Sequence, residues 1–318
     1  MTDRSLRDAV AACETIAAGN NSTLFHAARL LPRHRRDVFS VAYAAMRVID
    51  DIVDEEFLTL PPDVRDSQRP VISARVEAWR RQTAENAIPG PLPELVARGF
   101  ELVIRPSDLG PAPWDGLAAA LQEDVAEAPM DDWAAFERYA EGATVAPAMI
   151  FIYLLGCREV PGGLKHGLPR SARFYAADLG VFCYLVHILR DLAKDVGAVG
   201  PDAPGPRLAQ RLITIPTVAL EAAGLSRATL ADAVGQPGDV RLDRLAADML
   251  ARAETRRKAG RARLAELTPL LGPREKAAIE ALVQVYEKLH RDFRKGYAER
   301  LRDLPGLEEP IRRAIFGT

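Results

Sequence analysis

The sequence of 318 residues has few cysteines and almost no net charge. Its three cysteines, Cys13, Cys157 and Cys183, show no CxxC spacing, which argues against a disulfide framework or a zinc site and is typical of a reducing compartment. The formal net charge is −2, and no basic tract of the kind that binds nucleic acid is present. We therefore expect a cytoplasmic protein with no nucleic-acid partner.

Signals for secretion, for a membrane span and for β-structure are also missing. The longest apolar run, residues 145–157, is shorter than the roughly 20 residues that a helix needs to cross a bilayer. The first 20 or so residues are polar with an amphipathic period, so we expect no secretory signal. Alternating apolar and polar positions and Asn-Gly hairpin signals are absent. The apolar run is better explained as a buried helix.

Apolar residues instead recur at three-to-four spacing along nearly the whole chain, which predicts an all-α protein. The predicted helices cover residues 3–18, 22–31, 33–57, 70–86, 92–104, 115–127, 132–156, 168–196, 207–223, 226–234, 241–267 and 273–302. Short stretches rich in proline and glycine separate them, and none is long enough to be an interdomain linker. We expect residues 1–318 to form a single domain.

The stretch RVIDDIVDEE, residues 47–56, carries five acids on a helix that is otherwise largely apolar. Counted at 100° per residue, one narrow polar stripe contains Arg36, Tyr43, Arg47, Asp50 and Asp54, with Asp51 at its margin. A helix that is apolar over most of its girth is usually buried, so this stripe should face a cavity. Carboxylates four residues apart repel each other, and Mg²⁺ bound to carboxylates and substrate phosphates would resolve the excess charge. The alternative is a helix end that surfaces into water.

A second helix, residues 180–196, repeats the arrangement. One face carries Gly180, Tyr184, His187, Asp191 and Asp195, with Arg190 and Lys194 at its edge. Alone, His187 would more often be a core histidine and Tyr184 a packing residue. Two acidic stripes on buried helices of one domain would repel each other across the core, however, and Mg²⁺ ions that join both to a diphosphate supply the missing positive charge. We therefore favour a metal site over solvation.

Together the two stripes resemble the motifs of the squalene/phytoene synthase family of head-to-head prenyl transferases. Residues 30–55, LLPRHRRDVFSVAYAAMRVIDDIVDE, follow the family pattern LLP..RR....YA..R..DD.VD, and residues 179–195, LGVFCYLVHILRDLAKD, follow LG...QLTNILRD...D. The segment YEKLHRDFRKGY, which begins at Tyr286, resembles the family's last aromatic helix. The resemblance implies the all-α isoprenoid (terpenoid) synthase fold, with long helices around a central cavity.

The resemblance also implies roles for individual residues. The residues implied to bind metal are Asp50, Asp51, Asp54, Asp191 and Asp195, with Mg²⁺ as the ion and Mn²⁺ as the alternative. The residues implied to act in catalysis are Arg47 and Arg190, which would pair with departing diphosphate, and the cavity tyrosine Tyr43. The positions assigned to substrate binding are Arg36, Tyr184, His187 and Tyr286.

Residues 139–156 contribute a further prediction, an apolar wall that would shield an allylic cation from water. Tyr139, Gly142, Ala143 and Ala146 share one helical face, so Tyr139 is a further catalytic candidate at the head of the wall. Gly142 and Ala146 would leave room for a prenyl tail and are assigned to substrate binding. Small residues also permit close helix packing, which is the alternative for these two positions.

The implied reaction joins two identical C15 or C20 prenyl diphosphates through a cyclopropylcarbinyl diphosphate to a phytoene, dehydrosqualene or squalene-type product. Three segments depart from the family pattern: Tyr184 and His187 replace its Gln and Asn, residues 139–148 match only loosely, and residues 197–216 lack its basic and aromatic character. No GxGxxG motif follows a strand, so no NADPH site is visible and the use of NADPH stays open.

Two other functions fit the same residues. The departures at Tyr184 and His187 would suit a binding or assembly protein that kept the fold and lost catalysis, and a lyase of the same fold would cyclise a single prenyl diphosphate. The intact aspartates favour the enzyme, because like charges held close together are destabilising unless they are used. Since the product would be apolar, we also expect peripheral contact with a membrane. The sequence carries no signal for an oligomeric state.

Overall fold

The computed structural model describes residues 3–19, 22–87, 89–197, 213–301, 313 and 315–317, and these ranges are almost entirely helical. The α-helices are α1 (Asp3–Gly19), α2 (Thr23–Ala28), α3 (Arg33–Asp51), α4 (Pro62–Ala84), α5 (Glu94–Gly99), α6 (Ala112–Val125), α7 (Trp133–Ala140), α8 (Ala146–Gly156), α9 (Ala172–Asp195), α10 (Thr217–Ala222), α11 (Arg227–Gly235), α12 (Val240–Leu267), α13 (Pro273–Phe293) and α14 (Tyr297–Arg300). The prediction of an all-α protein is confirmed.

Three π-helical turns continue α-helices without a break. They are π1 (Ile52–Phe57) after α3, π2 (Phe100–Ile104) after α5 and π3 (Glu141–Val145) between α7 and α8. A π-turn contains more residues than an α-turn and is frequent at functional sites, because it re-aims the side chains that follow it. Two of the three lie within segments that the sequence assigns to the site.

One short β-hairpin departs from the predicted pattern. β1 (Arg158–Val160) pairs antiparallel with β2 (Gly163–Lys165). Gly162 and Gly163 have φ angles of +92° and +145°, a conformation that glycine adopts without steric cost. Strands of three residues are too short to leave an alternating pattern in the sequence, so the prediction missed them.

Several helix boundaries differ from those predicted, mainly at proline and glycine. α4 begins at Pro62, where proline is tolerated at the first helical position, and runs through Pro70, which the sequence analysis took as its start. The helix predicted over 273–302 ends at Phe293, and Gly296, at φ +130°, precedes the separate α14. In the segment predicted as 207–223 the helix begins at Thr217; residues 207–212 lie outside the described residues.

α9 lies at the centre of the fold and packs against α8, α12 and α13. Buried apolar side chains from helices along the chain form one continuous cluster around it. α3 is tied to α4 by the buried Trp79, whose indole N–H donates to the carbonyl of Ala45 at 2.8 Å. The two helices that carry the acidic motifs, α3 and α9, are therefore both held by the core.

Two helical stretches, Trp133–Gly156 and Ala172–Asp195, are long and apolar enough to cross a membrane by length and composition. Most of each stretch is buried against the rest of the chain. Core helices of a globular protein have this same character, and the buried setting of residues 145–157 agrees with the interpretation of that run as a buried helix.

Candidate active site

Arg47 organises the first acidic motif at the end of α3. Its guanidinium group donates to Asp50 at 2.6 Å and to Glu55 at 2.8 Å, and it also forms an ion pair with Asp51. Burial outweighs this pairing at Asp50, whose pKa is raised to about 6. One guanidinium thus serves three carboxylates, and the motif keeps an excess of negative charge.

Asp54, on π1, shows that the two acidic motifs face each other. No basic side chain in the described part of the chain forms an ion pair with it. Its pKa is raised well above the usual range by burial and then by the charges of Asp50, Asp124 and Asp195. Because Asp195 lies on α9 and Asp54 on π1, the carboxylates of the two motifs act on each other across a shared cleft.

The second motif, at the end of α9, is organised by Arg190. Its guanidinium group donates to both carboxylate oxygens of Asp191, at 2.6 and 2.7 Å, and lies 3.0 Å from the Nδ1 atom of His187. Burial alone would raise the pKa of Asp191, but His187 and Arg190 together hold it below its usual range. At Asp195, burial and the charge of Asp191 raise the pKa to about 7.

His187 lies beside an acidic residue of its own motif. Its Nε2 atom lies 3.0 Å from a carboxylate oxygen of Asp191, one helical turn away. The imidazole, about two fifths exposed, therefore holds Asp191 rather than facing the opposite motif. A nitrogen ligand would suit Mg²⁺ poorly, and this geometry gives His187 the task of orienting a carboxylate instead.

Two buried polar residues at the cleft were missed by the sequence analysis. Asp124, on α6, is 3% exposed and accepts a hydrogen bond from the Tyr139 hydroxyl at 2.9 Å. Tyr297, which begins α14, donates its hydroxyl to the carbonyl of Leu189 at 2.7 Å, and burial followed by the charges of Asp195 and Asp191 raises its pKa. Asp124 has no local sequence signal, because Asp115 and Glu123 lie on the same helix; Tyr297 ends the segment YEKLHRDFRKGY, in which Tyr286 was the residue assigned to the site.

An apolar cavity of about 240 Å³ adjoins the acidic cleft along the same face of α9. From α9 it is lined by Gly180, Tyr184 and His187, and Asp191 and Asp195 continue that face beyond it. Tyr286 of α13 lies in the opposite wall. The structure thus places an apolar pocket directly beside a negatively charged mouth.

Aromatic side chains position the polar wall of this cavity. Tyr184 stacks on Phe136 with ring centroids 5.8 Å apart and donates its hydroxyl to Thr214 at 3.2 Å. Tyr43, on α3, stacks on Phe39 at 5.6 Å, and burial raises its pKa. The cavity-lining Ser22 forms a hydrogen bond with Tyr43, so this tyrosine lies next to a residue of the cavity wall.

Gly142 and Ala146 are not among the residues that line this cavity, so their assignment to substrate binding stays a prediction that the structure does not support. A Cβ atom added to Gly142 would lie 2.2 Å from the carbonyl oxygen of Gly116 on α6, and Ala146 contacts the same glycine. Close helix packing, the alternative, is what the structure shows. The residues of this segment that line the cavity are Ala143, Thr144, Pro147, Ala148, Phe151 and Ile152.

Arg36 lies at the far end of α3 from the acidic motif. Fourteen residues of helix separate it from Asp50, which corresponds to about 21 Å along the axis. It lines two surface clefts and not the cavity beside α9. Arg36 points to the same side of α3 as Asp50 but lies far from it along the helix axis. Its predicted part in binding the substrate at the acidic cleft is therefore not supported.

The carboxylates do not form a complete metal cage by themselves. In the ranges that the structure describes, no group of three or more His, Cys, Asp or Glu side chains could hold a metal ion. Mg²⁺ is usually bound by one or two carboxylates together with substrate phosphates and water, so a complete cage is not required. Burial first, and then neighbouring carboxylates, raise the pKa values of Asp50, Asp54 and Asp195, and a hard cation that arrives with a diphosphate fits this donor set.

Comparison with known proteins agrees with the geometry of the site. The family model described as squalene/phytoene synthase matches residues 18–306. The chain belongs to the squalene/phytoene synthase family. It is therefore a prenyltransferase of the family that condenses prenyl units head to head, and the resemblance carried by the two motifs is confirmed.

Individual relatives agree with this family. The presqualene diphosphate synthase of Rhodopseudomonas palustris is 25% identical over 222 residues, which cover 65% of this chain and 71% of that protein. A dehydrosqualene synthase solved in complex with a ligand superposes with a TM-score of 0.65 at 16% identity and 99% coverage of both chains. The squalene synthase HpnC from Alicyclobacillus acidocaldarius gives 0.65 at 18% identity, with 92% of this chain and 96% of that one covered. The predicted isoprenoid synthase fold is confirmed.

Proposed function

We propose that this squalene/phytoene synthase family member joins two identical C15 or C20 prenyl diphosphates head to head, through a cyclopropylcarbinyl diphosphate, with Mg²⁺ as its cation. The observation that carries the proposal is the position of the apolar cavity beside the second acidic motif: His187 lines the cavity and its Nε2 atom lies 3.0 Å from Asp191. A prenyl diphosphate has the matching polarity, since its head requires cations and its tail requires an apolar wall.

The charged residues of the cleft serve the leaving group. Ionisation of an allylic C–O bond places negative charge on diphosphate, and preorganised positive groups at that point lower the barrier. Mg²⁺ held by Asp50, Asp54, Asp191 and Asp195 supplies most of that charge when it is bound. Arg47 and Arg190 are already fixed at the two motifs by their carboxylate partners and supply hydrogen-bond donors to the phosphate oxygens.

The cavity protects the cation that ionisation leaves behind. Its walls are largely apolar, so water has few hydrogen-bonding partners there and is excluded from the reacting carbon. Tyr184 and Tyr286 present aromatic rings to the same space, and ring faces attract cations. Tyr139 acts indirectly, through Tyr184. Its hydroxyl donates to Asp124, and its ring centroid lies 6.5 Å from that of Tyr184.

The residues that replace the family Gln and Asn are compatible with this chemistry. His187 holds Asp191 through its Nε2 atom, and Tyr184 forms part of the cavity wall. Neither replacement removes one of the aspartates of the two motifs. We therefore favour an active enzyme over a binding protein that has lost catalysis.

Incubation of the purified protein with radiolabelled farnesyl or geranylgeranyl diphosphate tests the proposal. With Mg²⁺ and detergent we expect a C30 or C40 product, and with EDTA none. The extract is analysed directly and after phosphatase treatment, with and without NADPH, which separates a released cyclopropylcarbinyl diphosphate from a rearranged hydrocarbon. A C15 or C20 cyclic product would instead identify a lyase.

Two variants and one matched control connect the product to the cleft. Asp54→Asn and Asp195→Asn each remove one carboxylate from the shared site, and we expect turnover to fall at least about 100-fold, a loss typical of removing one electrostatic contact in the transition state. Asp248→Asn removes the same charge from an exposed position on α12 and should leave turnover unchanged. No turnover by the folded wild type with either chain length would contradict the proposal.

A further inference from the structure

We infer that a second site, a cleft lined by four arginines at the far end of α3, binds a phosphate-bearing anion. The four-arginine cleft consists of Arg29, Arg33, Arg36 and Arg274, and it has a volume of about 500 Å³. The other side chains that line it are Leu30, Leu31, Pro273 and Ala277, so no carboxylate belongs to it. This inference concerns binding alone and does not depend on the proposed reaction.

The guanidinium groups of the cleft are engaged by no close acceptor within the described chain, although the charges of Arg33 and Arg36 act on Asp37. None of the four forms an ion pair or a side-chain hydrogen bond there. The neighbouring Arg35 shows the contrast, because it donates to the carbonyls of Leu154, Leu155 and Cys157 and to Glu275. An external anion in the cleft would give these guanidinium groups the acceptors that the described chain does not.

The first turn of α13 adds to the positive character of the cleft. This helix has 21 residues and starts with Pro273 and Arg274, and its cap residue Gly272 provides no side-chain acceptor for the free N–H groups. The N-terminus of a helix carries partial positive charge and favours anions. Glu275, the acid of that turn, is engaged by Arg35 at 2.9 Å and so does not neutralise the cleft.

Carboxylates do lie near the cleft, on its other side. Arg33 and Arg36 also border a groove along α1 that contains Glu14 and Asp37. Neither acid forms an ion pair with the two arginines in the described chain, and Arg29 and Arg274 do not border that groove. The balance of the cleft therefore remains positive.

The chemistry of the ligand follows from these groups. Planar guanidinium groups bind phosphate oxygens in bidentate pairs, which makes phosphate the anion best matched to several arginines. The apolar lining from Leu30, Pro273 and Ala277 also allows carbon next to the phosphate to be in contact with the protein. A phospholipid headgroup and a free diphosphate share this chemistry. α13 joins the cleft to the active site, because its Ile279, Leu282 and Tyr286 line the apolar cavity.

Vesicle sedimentation and calorimetry in EDTA test the inference and separate the two sources. Vesicles of phosphatidylcholine with 30% phosphatidylglycerol, a proportion of about one third chosen for its surface charge, should bind the wild-type protein, and pure phosphatidylcholine should not. Inorganic pyrophosphate is titrated separately by calorimetry, without divalent cations, so that the acidic cleft does not hold it. The variant Arg33→Gln/Arg274→Gln removes two exposed charges and should weaken binding about 30-fold.

A matched control removes the same charge elsewhere. Arg81→Gln/Lys258→Gln changes side chains that are 59% and 73% exposed, on α4 and α12, and should bind as the wild type does. If vesicle binding is lost only in the cleft variant, the ligand is a lipid headgroup. If pyrophosphate binding depends on the cleft and vesicles do not bind, the ligand is a free anion. Either result supports the site. Absence of both, or an equal loss in the control, overturns it.

Discussion

Asp195→Asn should make the metal-free protein more stable while it abolishes turnover. Burial and the charge of Asp191 raise the pKa of Asp195 from 3.8 to about 7. The folded chain therefore binds this proton more tightly than the unfolded chain does. The resulting contribution to stability is fully present below about pH 4 and is lost as the pH rises through about 7.

The magnitude follows from the two pKa values. At about 1.4 kcal/mol per pH unit, the interval from 3.8 to about 7 corresponds to an ionisation penalty on the order of 4 kcal/mol at pH 8. An asparagine carries no such penalty. For a chain of 318 residues this gain raises the Tm by roughly 6 °C, and at pH 5 the gain shrinks to about 1–2 kcal/mol.

Thermal unfolding followed by circular dichroism in EDTA, at pH 5 and pH 8, measures the effect. Asp248→Asn, on the exposed side of α12, is the control, and its Tm should stay within about 1 °C of wild type. Addition of Mg²⁺ with pyrophosphate at pH 8 should stabilise the wild type more than the variant. A variant no more stable than wild type at pH 8 would refute the reasoning, as would a gain that does not change with pH.

Two further predictions concern packing and a buried ion pair. Gly142→Ala should destabilise the protein by about 3 kcal/mol in urea unfolding, because its new methyl group would overlap a backbone carbonyl at 2.2 Å. Gly180→Ala, with 3.6 Å of space, should change the KM and not the stability. Equal losses of stability for both variants would contradict this. Arg35→Ala should cost about 3 kcal/mol, because it leaves Glu275 buried and unpaired, and the double variant Arg35→Leu/Glu275→Leu should recover part of that loss. A double variant less stable than Arg35→Ala would argue against the buried-charge explanation.

The strongest sequence predictions came from long, regular helices. The segment predicted as 33–57 is α3 continued by π1, and the one predicted as 241–267 matches α12 to within a residue. Their periodicity extends over many turns, so local exceptions do not obscure it. The acidic faces of α3 and α9 could be predicted for the same reason, since charge on an otherwise apolar helix is unusual.

The site-residue predictions were weakest where the angular position on a helix does not determine what a side chain contacts. Arg36 lies on the predicted stripe, but a helical count gives direction and not distance from the cavity. Gly142 and Ala146 were counted at α-helical spacing, whereas π3 occupies residues 141–145 and changes the rotation between Tyr139 and α8. Asp124 required knowledge of which helix packs opposite π1. Such contacts depend on tertiary structure and leave no local pattern.

The regular repeat of α9 limits the depth of the cavity in discrete steps. Six residues of this helix border the pocket, and Ala176 and His187, the first and last of them, are eleven residues apart, a depth of about 16 Å beneath the charged mouth. Side chains can block that depth only at positions where the helix returns to the same face, about every 5 Å. Enlarging Gly180 or Ala176 should therefore shorten the longest accepted isoprenoid in whole increments, not gradually.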